Sequence, residues 1–156
     1  MKRSVGKEGR KSHIIFPVYK IKNNITNVVV IVMIEVEKVI IVEGRSDYKK
    51  VKKIINEPLQ ILYTNGTISM GRLEALVDEH FLNDKEVYIL VDADDPGRKL
   101  RNQLRQELSH AIHLYVDRSF REVETTPNHE LASVLASANL KVHTDFLKGY
   151  GYHAGN

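Results

Sequence analysis

The sequence contains no cysteine and no tryptophan. The first absence removes disulfides, thiolate nucleophiles and every cysteine-bearing zinc or iron–sulfur site, and it fits a reducing cytoplasm, which is the expected location. Long apolar runs are also lacking. The longest, Val28–Ile34, has seven residues, against the roughly 20 needed to cross a bilayer as a helix, so no membrane partner is expected. With 42% hydrophobic and 28% charged residues in a chain of 156, neither wholesale disorder nor a membrane protein is expected, and one domain with a substantial core is.

The excess of positive charge is local. Residues 1–32 hold seven Lys/Arg against Glu8, a charge of +6, so the +3 of the whole chain leaves −3 for the remainder. Basicity thus belongs to the leader, and nucleic-acid binding by the rest must rest on a site instead of on global charge. The leader shows no sustained helical or alternating period and no complete targeting signal. Residues 1–32 are expected to be a disordered basic arm or an upstream extension foreign to the native protein, followed by a domain over 33–148 and a flexible Gly-rich tail over 149–156.

From Glu37 onward the pattern is regular. Val39-Ile40-Ile41-Val42 is a β-branched run suited to a strand covered on both faces. Ser46–Asn56 places Val51, Ile54 and Ile55 on one helical stripe, and Pro58 ends it. Leu59–Tyr63 reads as a second strand closed by Thr64-Asn65-Gly66-Thr67, and Ser69 caps a helix carrying Leu73, Leu76, Val77 and Phe81. Val87–Val91 is a third strand. Asp95-Pro96 reads as a helix cap followed by proline at the first helical position, with Leu100, Leu104 and Leu108 beyond it. Ile112–Val116 is a fourth strand, Thr126-Pro127 opens a last helix, and Lys141–Phe146 offers a short extra edge strand. This alternation predicts a three-layer α/β/α, Rossmann-like fold with a mainly parallel four-stranded sheet.

Open parallel sheets bind ligands beyond the carboxyl ends of their strands. Strand one ends in Glu43-Gly44-Arg45-Ser46-Asp47 and strand three in Asp92-Ala93-Asp94-Asp95-Pro96-Gly97. Asp92 and Asp94 are two apart on extended backbone, so they share a side. Two like charges there repel by about 4 kcal/mol at contact range in an effective dielectric near 20, which a hard divalent cation offsets. Magnesium, with manganese as a substitute, takes one or two carboxylates and oxygens from water or phosphate. A solvated loop is the plain alternative for a lone DxD, and for Asp95 helix capping is preferred. Bringing Glu43, Asp92 and Asp94 together requires strands one and three to be neighbours, hence the order 2-1-3-4.

The strand-terminal Glu43-Gly44 with Asp47, followed about fifty residues later by Asp92-Ala93-Asp94-Asp95-Pro96-Gly97, resembles the Toprim domain of bacterial primases, topoisomerases, overcoming-lysogenization-type nucleases and recombination mediators. Thr64-Asn65-Gly66 and Asp94–Lys99 are most similar to small bacterial single-domain Toprim proteins and to the Toprim ribonuclease that matures 5S ribosomal RNA. The resemblance implies magnesium-dependent phosphoryl transfer. Glu43 matches the general acid or base, Asp92 and Asp94 the metal-binding pair with Glu43 beside them, Gly44 a close-approach glycine, and Asp47 an outer-shell acid. Pro96 stands where topoisomerases continue with a third alternating Asp, which favours the nuclease and primase pattern over strand passage.

Arg45, Arg98 and Lys99 flank these acids as phosphate contacts or as solvated helix-start charges, and Asn65 and Gly66 as substrate-side groups of the second strand's turn. Arg118 and Arg121 sit in a charge-dense loop that either reaches substrate or forms internal ion pairs. His113, His129 and His143 fall on different elements and are read as ordinary histidines. The expected partner is nucleic acid, RNA or single-stranded DNA, with a protein partner supplying specificity. The competing reading is a non-catalytic nucleic-acid-binding or regulatory module that retains the metal site.

Overall fold

The computed structural model describes residues 37–148 with their side chains and, upstream of them, the backbone of four short strands. Contacts divide the chain between Val36 and Glu37. In the upstream unit His13–Ile15 pairs antiparallel with Met33–Glu35, and Lys20–Asn23 with Thr26–Val29. Residues 149–156, expected to be a flexible tail, lie outside the described residues.

The second unit is an α/β/α sandwich. Its sheet contains β1 (Lys38–Val42), β2 (Gln60–Tyr63), β3 (Glu86–Leu90) and β4 (Ile112–Leu114), all parallel, in the order β2-β1-β3-β4. The helices are α1 (Arg45–Ile54), α2 (Met70–Glu79), α3 (Asp95–Glu107) and α4 (Asn128–Ser137). Alternation along β1 explains the layers. Ile40 and Val42 pack with Val51 and Ile54 of α1 and Leu131 and Leu135 of α4. Val39 and Ile41 pack on the other face with Leu73 and Val77 of α2 and Leu100 and Leu104 of α3. Both strand faces are therefore apolar, as a sheet covered twice requires.

Ser69 caps α2 as expected, its Oγ accepting from Arg72 N at 3.3 Å. The anticipated edge strand at Lys141–Phe146 does not form. Val142 makes one isolated antiparallel bridge to Ile55, and Thr144–Phe146 turns into a short 3₁₀ helix. Asn56 N donates to Lys141 O at 2.8 Å and His143 N to Ile54 O at 2.9 Å, so the segment pairs with the end of α1 instead of joining the sheet. Among the described residues no helix is long and apolar enough to cross a membrane.

A carboxylate cluster at the carboxyl edge of the sheet

The order of the strands makes β1 and β3 neighbours, with Val42 opposite Leu90. Glu43 follows Val42 directly and Asp92 follows Leu90 by two residues, so both acids leave the carboxyl ends of adjacent strands at the sheet's switch point. Glu43 is half-buried, and its Oε2 is buried without a hydrogen-bond partner. Desolvation, then the charges of Asp92, Asp94 and Asp47, push its carboxyl up to about 7. An oxygen in that state is costly to keep in a folded protein.

The backbone under Glu43 is fixed by the turn after β2. Gly66 N donates to Glu43 O at 3.2 Å, and Thr64 Oγ1 donates to Gly66 O at 2.8 Å. Asn65 and Gly66 hold φ of 59° and 89° in succession, left-handed values that Asn tolerates and Gly accepts freely. These two residues act on the site through the main chain of Glu43, and the Asn65 side chain is exposed.

Asp47 is buried and occupied. Its Oδ2 accepts from Gly44 N at 2.9 Å, tying the start of α1 to the Glu43–Gly44 peptide. Burial raises its carboxyl to about 6 against the opposing pull of that hydrogen bond. Gly44 itself has extended backbone, and a Cβ there would meet only Asp47 Oδ2, at 3.4 Å. No protein backbone crowds it.

The two aspartates each spend one oxygen on the fold. Asp92 Oδ1 accepts from Val123 N at 2.8 Å, and Asp94 Oδ1 accepts from Gly97 N at 2.9 Å. Asp94, not Asp95, is therefore the cap of α3. Asp95 is the first helical residue and ion-pairs with Arg98. The extended backbone of Asp94, one residue earlier than expected, carries its carboxylate back over the first turn, and Pro96 is accommodated within that turn. Desolvation, opposed by the Val123 bond, also raises the pKa of Asp92.

Gly97 has a structural role that the motif alone does not reveal. A Cβ there would lie 2.3 Å from Asp92 O. Only glycine lets α3 approach β3 closely enough for Asp94 to cap the helix beside Asp92. The loop after β4 completes this wall. Ala93 N donates to Arg121 O at 2.8 Å, and Lys50 of α1 donates to the carbonyls of Glu124 and Thr126. The loop is thus held by hydrogen bonds to its main chain, and of the two readings of its charges the internal ion pairs do not form among the described residues. None of these bonds is encoded by a local motif.

Arg45, Arg98 and Lys99 are exposed at helix starts around the cluster. His113 contacts Arg101, and His129 pairs with Glu130, neither forming a metal triad. Among the described residues no three His, Asp or Glu groups stand close enough to hold an ion unaided. The donor set still suits a hard cation that retains several waters: one oxygen of Asp92 and one of Asp94 lack a protein donor, and Glu43 Oε2 is buried and unpartnered.

The model of the Toprim domain matches residues 38–124, which include all of these acids. The chain is 59% identical over 116 residues to the uncharacterized protein YusF of Bacillus subtilis, covering 74% of this chain and 78% of that one. It is 30% identical over 89 residues to Ribonuclease M5 of Mycoplasma genitalium, 56% of this chain and 48% of the relative. It therefore spans about half the length of that ribonuclease. A solved small TOPRIM domain protein from Bacillus stearothermophilus superposes with a TM-score of 0.69 at 52% identity, over 72% of this chain and 94% of its own. Sheet order, strand-end acids and these similarities agree: the chain belongs to the Toprim domain family.

Proposed function

We propose that this protein cleaves nucleic-acid phosphodiesters with magnesium in the manner of a ribonuclease, with Glu43 moving the proton. The observation that carries this reading is the partnerless buried oxygen of Glu43 on a carboxyl pushed up to about 7. A group balanced between its two protonation states near neutral pH both takes and gives a proton efficiently. Asp92 and Asp94 would hold the cation through the oxygens not engaged by Val123 and Gly97, with Glu43 beside them. Bound there, Mg²⁺ or Mn²⁺ polarises the phosphate and offsets charge on the leaving oxygen.

The remaining residues position these three. Asp47 holds Gly44 N, the Thr64-Asn65-Gly66 turn holds Glu43 O, and Gly97 seats α3 against Asp92. Arg45 and Lys99 are exposed at helix starts, available to flanking phosphates. Similarity to Ribonuclease M5 supports RNA as substrate. A protein partner supplies substrate selection, since the chain beyond the leader carries −3.

One observation favours a second reading, an accessory module that binds nucleic acid without cutting it. The described carboxylates do not form a ready ligand set. Incubating labelled structured RNA and single-stranded DNA with the protein in Mg²⁺, Mn²⁺ or EDTA, beside Glu43→Gln, decides between them. Metal-dependent cutting that falls by about 10²-fold or more in the variant is the expected result. Cutting that the variant retains removes Glu43 from the reaction, and binding without cutting by wild type supports the accessory module.

A further inference from the structure

A groove of about 670 Å³ runs from the acidic cluster along α3 and under the loop after β4. Its walls include Asp92 and Asp94, but also Arg98, Arg105, Arg118 and Arg121. Along α3 the sequence Arg98, Arg101, Asn102, Arg105 repeats at i, i+3, i+4 and i+7, which puts one stripe of the helix into the groove. Arg98 to Arg105 spans about 10 Å of helix. Like charges at these spacings weaken a helix, so an anion is the natural complement.

Arg98 pairs with Asp95, but Arg105, Arg118 and Arg121 are exposed and make no ion pair among the described residues. Arginine suits this role because its planar fork matches phosphate oxygens. Arg101 does something different. Its guanidinium is buried, donating to Val91 O at 3.1 Å and Leu114 O at 2.9 Å, and it lies 4.2 Å from the centre of the Tyr115 ring. Tyr115 is 59% exposed. An aromatic ring backed by a fixed cation and open to the groove is a stacking platform for a base.

We propose that this groove holds a single strand of nucleic acid, its phosphates on Arg105, Arg118 and Arg121 and one unpaired base on Tyr115, leading the backbone to Asp92 and Asp94. A duplex satisfies the arginines but keeps its bases stacked inside, leaving the tyrosine unused. The assignment rests on the reading of the acidic edge as the cleavage site, because that edge is where the strand is led.

Binding of labelled 12-nucleotide single-stranded RNA, single-stranded DNA and duplex RNA is measured by fluorescence anisotropy in EDTA, where nothing is cut. The expected result is tighter binding of either single strand than of the duplex. Arg105→Glu with Arg118→Glu weakens it at least about 10-fold and reduces its salt dependence. Tyr115→Ala weakens single-strand binding about 5-fold or more, with duplex binding unchanged. Arginine variants that bind like wild type overturn the groove, as does a duplex preferred over both single strands. All three substituted side chains are exposed, and Arg118→Gln alone gives a milder version of the same loss if the double variant melts early. Cleavage is scored separately. Arginine variants that bind and cut normally while Glu43→Gln does not cut overturn the groove alone; wild type that binds through the arginines but never cuts overturns the cleavage reading alone.

Discussion

Replacing Glu43 by Gln is expected to stabilise the metal-free protein at pH 8 and to leave it nearly unchanged at pH 4.5. In the folded state burial and three neighbouring carboxylates lift Glu43 from its ordinary 4.5 to about 7. A raised carboxyl pKa means that the folded protein binds the proton more tightly than the unfolded chain. Its favourable contribution is therefore complete below 4.5 and is lost as pH rises through 7. Full transmission of that difference would cost the ionised protein about 3 kcal/mol at 1.36 kcal/mol per pH unit. Solvent reaches this half-buried side chain, so screening reduces the expected cost to roughly 1–2 kcal/mol. Glutamine keeps the shape and never ionises. Urea unfolding in EDTA at pH 4.5, 6, 7 and 8 reads the difference directly, and thermal melts at pH 8 should show the variant higher by roughly 2–8 °C. A variant that is less stable than wild type at pH 8, or a difference that does not change with pH, would refute the electrostatic account of Glu43.

Gly97→Ala should cost about 1–3 kcal/mol or more, because its Cβ would lie 2.3 Å from the Asp92 carbonyl; an unchanged urea midpoint would mean that α3 does not sit on Asp92. Asp94→Ala should lose about 0.5–2 kcal/mol in EDTA, since it removes the acceptor for Gly97 N, and equal stability in a denaturant titration would move the cap back to Asp95. A chain beginning at Met33 should fold and melt with the full-length protein, because the described core is built from residues between Val39 and Val142; a clearly lower midpoint would make the upstream segment part of the domain.

Much of the fold was legible because its strands are buried on both faces. Val39–Val42 and Val87–Val91 are unbroken apolar runs, and Ser69 and Pro58 punctuate the helices between them. Glu43 can meet Asp92 only if strands one and three are adjacent, which requires the order 2-1-3-4, and the sheet has that order. The errors have local causes. Asp94 and Asp95 are both competent caps, and only the close approach at Gly97 selects the first. Lys141–Phe146 has the composition of a strand, but the end of α1 offers its backbone first. The bonds from Asp92 to Val123 and from Ala93 to Arg121 join residues about thirty apart. They depend on where β4 places the following loop, which no local pattern states. The arginine stripe of α3 was in plain view at i, i+3 and i+7, but became a groove only when that loop closed over it.

The metal site is tested most directly by thermal melts of wild type, Asp92→Asn and Asp94→Asn in EDTA and in saturating Mg²⁺. Asparagine retains the oxygen that accepts from Val123 N or Gly97 N, so each variant removes a charge while keeping the fold's hydrogen bond. Magnesium at a hundred times its dissociation constant should stabilise wild type by about 2.7 kcal/mol through preferential binding to the folded state. Both variants should gain much less, and in EDTA neither should melt below wild type, since each relieves repulsion within the cluster. Equal magnesium stabilisation of all three proteins would contradict a cation held by Asp92 and Asp94.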